Sequence, residues 1–275
     1  MDWQWSYLIE AALTEDIGTG DITTDTLIPG DADGRGYIVA KEPLVVAGME
    51  LVKGVFEFLD PDMECFIAAA DGESVAAGEV VFDVRGSMRT ILTGERTALN
   101  FLQRLSGIAT YTRSCVAELE GTQTRLVDTR KTTPGLRILE KYAVQMGGAS
   151  NHRMGLFDGV LIKDNHIAAC GGIKQAVALA RQQVHHLVKI EVEVTTLEET
   201  RTALDACADV IMLDNMDLEM IKHAVALING RALVEVSGSV TKERLRELAD
   251  AGADIISAGG LTHSARAVDL SMRIE

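Results

Sequence analysis

The chain has 275 residues, 47% hydrophobic and 24% charged, a balance that supports folded domains with a sizeable core and excludes a disordered chain. Its formal charge of −15 at pH 7 argues against nucleic acid as a partner, because proteins that bind a polyanion carry a basic footprint. No apolar run reaches the roughly 18–20 residues that span a bilayer, and residues 1–5 lack the basic start and apolar stretch of a signal peptide, so a cytoplasmic protein without a membrane partner is expected.

Leu8, Ile9, Ala12 and Leu13 recur at helical spacing over residues 6–14, and the polar run 16–21 breaks that helix with two glycines. Residues 35–85 read as a compact α+β unit, with strands at 37–41, 44–47 and 80–84 and an amphipathic helix at 50–59. Within it, 71–78 has the look of a lipoyl-carrier turn but lacks the modifiable Met-Lys pair, which leaves an ordinary strand-turn-strand. A helix over 94–105 links this unit to a second, C-terminal one.

From there the pattern changes to short apolar strands at 125–129, 159–163, 188–194, 210–214, 233–237 and 255–257. Helices at 173–183, 197–206, 218–227 and 242–251 alternate with them, the cadence of parallel βα units. A full eight-stranded barrel needs about 250 residues. Six strands in this half of the chain therefore predict a reduced or open barrel.

Barrels place their chemistry at the C-terminal strand ends, and polar residues gather at those ends here. The loop after the first strand carries Asp128, Thr129, Arg130 and Lys131, suited to phosphate or carboxylate because Arg grips an oxyanion bidentately and Lys adds a point charge. A glycine pair leads into Ala149, Asn151, His152 and Arg153, and the second strand ends in Lys163. Alternation in 189–194 sends Glu191 and Glu193 to one face, with Asp214 ending the next strand; carboxylates at these ends would hold ribose hydroxyls or Mg²⁺. The last two strands close in Ser237-Gly238-Ser239 and Ser257-Ala258-Gly259, small residues before helices that suit a phosphate. Cys65, Cys115, Cys170 and Cys207 have neither zinc nor disulfide spacing, and the adjacent His185 and His186 read as surface residues.

Together these residues resemble the quinolinate phosphoribosyltransferase family over nearly the whole chain, beginning with 15–24 and most specifically in 94–110, 128–137, 151–153 and 161–166. The resemblance implies an α/β fold in which an N-terminal α/β sandwich, residues 1–105, accompanies an incomplete β/α barrel, residues 106–263. A C-terminal helix at 264–275 would join the first domain. It implies transfer of phosphoribosyl from phosphoribosyl pyrophosphate to quinolinate with loss of CO₂, with Mg²⁺ and without a redox cofactor. Arg130, His152, Arg153 and Lys163 would surround quinolinate, with Arg96 reaching across a homodimer interface. Thr129, Lys131, Glu193 and Asp214 would meet phosphoribosyl pyrophosphate, the two acids also serving Mg²⁺, and the late loops would take the 5′-phosphate. Ala149 and Ser239 depart from the family's usual Gly, and Gly or Asn, at those positions. Two rival readings remain: a paralogue of this fold with another substrate, and a Schiff-base aldolase using Lys163.

Overall fold

The computed structural model describes residues 3–275, with side chains from Trp5 onward; Met1 and Asp2, part of the start read for a leader, lie outside the described residues. Two compact units emerge, one of Met1–Arg113, Tyr142–Gly148 and Ala265–Glu275, the other of Ser114–Lys141 and Ala149–Ser264. The first therefore extends beyond the expected boundary at residue 105. The linking helix does not stop at Leu105: it is one 30-residue element, Met88–Ala117.

In the first unit, α1 (Trp3–Ile17) runs three residues past the expected 6–14 stretch, and Asp21 then starts a short α2 (Ile22–Leu27) by accepting the Thr24 N–H at 3.0 Å. Next come β1 (Asp33–Ala40), β2 (Leu44–Val45), α3 (Met49–Leu59), β3 (Glu64–Ile67), β4 (Ser74–Val75), β5 (Val80–Ser87) and α4 (Met88–Ala117). The face of α3 carrying Leu51, Val52, Val55 and Phe56 is wholly buried, and Phe56 stacks on Phe82 of β5 at 5.9 Å between ring centroids. The 71–78 segment pairs β4 with β2 as a small antiparallel ribbon.

The second unit holds β6 (Arg125–Val127), α5 (Arg137–Met146, its end counted with the first unit), β7 (Val160–Ile162), α6 (Asp164–Cys170), α7 (Ile173–Gln183) and β8 (Ile190–Val194). It continues with α8 (Leu197–Asp205), β9 (Val210–Asp214), α9 (Leu218–Ile228), β10 (Leu233–Ser237), α10 (Leu245–Asp250), β11 (Ile255–Ser257) and α11 (Gly260–His263). Its six strands are all parallel, in the order β6-β11-β10-β9-β8-β7. Strands β6 and β7, consecutive in the chain, stand at opposite edges, so the sheet is open as the strand count predicts. Each strand buries alternate residues beneath helices: Ile190, Val192 and Val194 of β8 and Ile211 and Leu213 of β9 are 0% exposed. The intervening positions are left for the opposite face.

The last strand, β12 (Leu270–Ile274), returns to the first unit and corrects the expected C-terminal helix. It pairs antiparallel with β1, Ala40 opposite Leu270 and Gly36 opposite Ile274, giving the order β12-β1-β5-β3. An open sheet edge offers backbone partners that local sequence does not reveal. The approach to β12 is close: a Cβ on Gly107 of α4 would lie 2.1 Å from the Arg266 carbonyl oxygen.

One buried ion pair ties the second unit together behind its site. Lys141 and Asp128, both 0% exposed, are in direct contact, and Asp128 also accepts the His152 N–H at 2.9 Å and the Asn151 amide at 2.6 Å. Lys141 completes the knot by donating to the His152 carbonyl at 3.0 Å. Removing one partner of such a pair strands a buried charge. Lys141→Met is expected to lower the unfolding free energy by about 3–5 kcal/mol in urea titrations, with partial recovery when Asp128→Asn is added.

Candidate active site

A cleft of about 580 Å³ opens in the second unit. Parallel pairing sets Glu193, Met212 and Glu235 at one level across β8, β9 and β10, with Asp214 and Ser237 at the next level and Ser257 ending β11. All six line the cleft. They occupy the alternate positions that the helices leave uncovered, which is why successive strand ends present chemistry instead of core.

Cations arrive from loops. Thr129, Arg130 and Lys131 follow β6, the loop kept tight by the Lys131 N–H donating to Thr129 Oγ1 at 3.0 Å and by Thr262 Oγ1 donating to the Lys131 carbonyl at 2.8 Å. Behind it, Glu140 of α5 accepts both the N–H and the hydroxyl of Thr133. Arg153 is anchored by donating to the Gly159 carbonyl at 3.0 Å, and burial together with the nearby Arg130 guanidinium lowers its pKa. Two guanidiniums held near each other disfavour one another's charge and favour an anionic ligand between them. Lys163 lies directly against Glu193, its side chain still 45% exposed. That pairing disfavours the aldolase reading, since Schiff-base lysines are activated by desolvation or a neighbouring cation.

His152 sits among acids. Its Nε2 lies 3.1 Å from Glu191 and 3.5 Å from Glu235, and its Nδ1 accepts the Arg153 N–H at 2.8 Å. Burial pulls the ring toward neutrality while the two carboxylates draw it up to about 10. A second ring proton, however, would have to sit on Nδ1, facing that amide. The backbone bond decides the matter: the ring keeps one proton, on Nε2, pointing at the acids. Burial, with Glu235 adding to it, raises Glu191 to about 7.

The donor atoms of His152, Glu191 and Glu235 lie within 4.8 Å of one another, the one grouping of potential metal ligands among the described residues. A metal on Nε2 would move the ring proton to Nδ1, against the Arg153 amide. Glu193 and Asp214, oxygen donors on the cleft wall, suit a hard cation better.

The late loops are shaped by backbone. Gly238 has φ +88°, and Asn215, itself at φ +53°, donates from its side chain to Asp214 at 2.9 Å and from its backbone N–H to the Ser237 carbonyl at 3.1 Å. Ser239 at φ +49° turns its hydroxyl toward Asn215 Oδ1 at 3.3 Å, so a non-glycine residue is accommodated there in the left-handed region. Ser257 Oγ is buried with no hydrogen-bond partner among the described residues.

Thus Thr129, Arg130, Lys131, His152, Arg153, Lys163, Glu193, Asp214, Ser237, Gly238, Ser239 and Ser257 all line one cleft. Ala258 and Gly259 are not among its lining residues; a Cβ on Gly259 would press on Lys131 at 2.9 Å, so that position guards the lysine's path. Arg96 is exposed on α4 in the first unit. Sequence reasoning missed Leu161, Met212, Asn215 and Glu235 as lining residues. The alternation that exposed Glu191 and Glu193 would also have found Glu235, two residues before Ser237.

A parallel βα sheet with a cation-rich cleft at its strand ends defines an α/β enzyme whose cleft suits an anionic ligand. Comparison with known proteins gives the family. The model of the quinolinate phosphoribosyl transferase N-terminal domain matches residues 21–106 and that of the C-terminal domain residues 108–273. A probable nicotinate-nucleotide pyrophosphorylase [carboxylating] of Bacillus subtilis (strain 168) is 45% identical over 98% of this chain and 93% of its own length. The chloroplastic nicotinate-nucleotide pyrophosphorylase [carboxylating] of Arabidopsis thaliana is 43% identical over 98% of this chain and 82% of its own. Among solved structures, NadC from Streptococcus pyogenes superimposes with a TM-score of 0.96 at 40% identity, covering 100% of this chain and 98% of that one. The chain belongs to the quinolinate phosphoribosyl transferase family.

Substituting Gly238 tests the late loop. An alanine Cβ there would stand 2.4 Å from Asn215 Oδ1 at a left-handed φ. Gly238→Ala is therefore expected to cost at least about 1–2 kcal/mol of stability, read from urea unfolding curves.

Proposed function

We propose that this chain transfers the phosphoribosyl group of phosphoribosyl pyrophosphate to quinolinate with decarboxylation, releasing nicotinate mononucleotide, pyrophosphate and CO₂ for NAD synthesis. The observation that carries this reading is the convergence of Arg130, Lys131, Arg153 and Lys163 with Glu193 and Asp214 in one cleft. A dianionic acceptor and a polyphosphorylated donor need the cations; a sugar that gains positive charge as pyrophosphate leaves needs the acids.

In this mechanism Arg130, Arg153 and Lys163, with His152 at their base, orient the two quinolinate carboxylates so that the ring nitrogen faces ribose C1. The C1–oxygen bond to pyrophosphate breaks with Lys131 beside the leaving group, and the N–C1 bond forms. Glu193 and Asp214 flank the ribose and offset the cationic sugar. Ser237, Gly238 and Ser239, with Ser257, bind the 5′-phosphate, the unsatisfied Ser257 hydroxyl among their donors. The carboxylate next to the nitrogen then departs as CO₂, leaving its bonding electron pair on the ring carbon as a carbanion that the adjacent cationic nitrogen stabilises, and a proton from solvent adds to that carbon. Glu193 and Asp214, together with phosphoribosyl pyrophosphate, would hold Mg²⁺, which would neutralise charge on the departing pyrophosphate. No step calls for electron transfer, so no redox cofactor is assigned.

The decisive experiment mixes purified protein with quinolinate, phosphoribosyl pyrophosphate and Mg²⁺ and follows nicotinate mononucleotide and CO₂. Equal turnover of nicotinate, which has one carboxylate fewer, would overturn the assignment. Arg153→Ala and Lys163→Ala should each lower kcat/KM for quinolinate by roughly one to two decades, the cost of one lost charge-assisted contact, with little change in far-UV circular dichroism.

The reading extends to a homodimer in which Arg96 of the partner subunit completes each site. Arg96→Ala and Lys163→Ala homodimers should both be nearly inactive, whereas a mixed dimer has one site with both lesions and one with neither. Co-refolding the two should restore up to about a quarter of wild-type activity, because random pairing makes half the dimers mixed. No recovery after subunit exchange, verified by mass spectrometry, would place Arg96 in the service of its own subunit.

A further inference from the structure

The proposed reaction leaves one set of buried groups without a role. Glu235 in the middle of β10 is 1% exposed and Glu191 of β8 is 7% exposed, and each has an Oε1 buried without a hydrogen-bond partner among the described residues. Two acids buried this close cost stability, since desolvation and mutual repulsion both oppose their charge. Expense of that kind is characteristic of functional sites.

What the acids share is one imidazole. His152 Nε2 is 3.1 Å from Glu191 and 3.5 Å from Glu235, and with Nδ1 accepting the Arg153 N–H, the ring proton is directed at the acid pair. The His152 backbone is held as well, its N–H by Asp128 and its carbonyl by Lys141. All four polar atoms of this residue are engaged inside the protein.

We infer that Glu191 and Glu235 act together as positioning residues: by accepting the Nε2 proton they orient His152, and through its Nδ1 they hold the backbone amide of Arg153, whose guanidinium faces the anion. The inference rests on the proposed quinolinate reading of the cleft. It also makes a prediction opposite to simple electrostatics. Two acids beneath an anion site repel the ligand, so removing them should tighten binding if charge were their only effect. If they position Arg153, removal weakens binding.

The test combines calorimetric titration of quinolinate with ¹⁵N NMR of His152 in the full-length protein. Wild type should show the Nε2–H tautomer. Glu191→Ala/Glu235→Ala should lose that preference and bind quinolinate about tenfold more weakly. Glu191→Gln/Glu235→Gln keeps carbonyl acceptors while discarding both charges, and should return the Kd to within about threefold of wild type. An alanine pair that binds as tightly as wild type, or more tightly, overturns the inference. Should the alanine pair fail to fold, the glutamine pair decides: retention of the Nε2–H signature with a near-wild-type Kd supports positioning, and transfer of the ring proton to Nδ1 refutes it. A wild type that binds no quinolinate sinks the substrate reading instead, leaving the NMR comparison to judge the acid pair.

Discussion

A lysine with no exposure to solvent is expensive, and Lys141 is held in that state by Asp128, equally buried, whose carboxylate is raised by burial and stabilised by Lys141, the His152 amide and Asn151. The pair connects α5 to the end of β6 and to the segment carrying His152 and Arg153. Asp128 directly precedes Thr129, Arg130 and Lys131, so one carboxylate sets the origin of one cationic loop and grips the backbone of the other. Like charges on two loops would drift apart in water; a common buried anchor keeps them facing one cleft before any ligand arrives. Preorganisation of this kind is what a polyanion site requires, because the cost of ordering the cations is met during folding and not during binding.

The open parallel sheet supplies the other half of the cleft. Its register brings Glu193, Met212 and Glu235 to one level and Asp214 and Ser237 to the next, while the residues between them disappear under helices. Acids thus come from rigid strands and cations from anchored loops. This division fixes negative charge on the cleft wall and leaves the cations on loop segments whose longer side chains can reach across it. Asn215 bridges the two kinds of element, touching Asp214 on one side and the Gly238–Ser239 turn on the other.

Much of this was legible in one sequence. Strands with apolar residues at every second position, helices with 3.6-residue periodicity and polar residues at strand ends identified six parallel strands and twelve of the residues that line the cleft. Those patterns are local: period 2 and period 3.6 are imposed by backbone geometry and by which face meets the core, and both are written along the chain. The family motifs carried the remainder of the chemical assignment. What the patterns did not reveal depends on partners distant in sequence. The strand at Leu270–Ile274 pairs with an edge that β1 presents more than two hundred residues earlier, and Tyr142 of α5 donates to Asp71, some seventy residues before it. Nothing in the spacing around Lys141 marks it as the buried structural charge that it is.

By itself, then, the sequence determined the fold class, the polar strand ends that line the cleft and the cations gathered beside them, since all three follow from residue type and spacing. Tertiary structure alone decided which acids meet His152, which ring nitrogen carries its proton, and which cations are structural and which face the cleft. The physical reason is burial. Whether a charged side chain is a ligand group or an anchor depends on the dielectric around it and on the hydrogen bonds that neighbouring elements close upon it, and neither is specified until distant segments have packed.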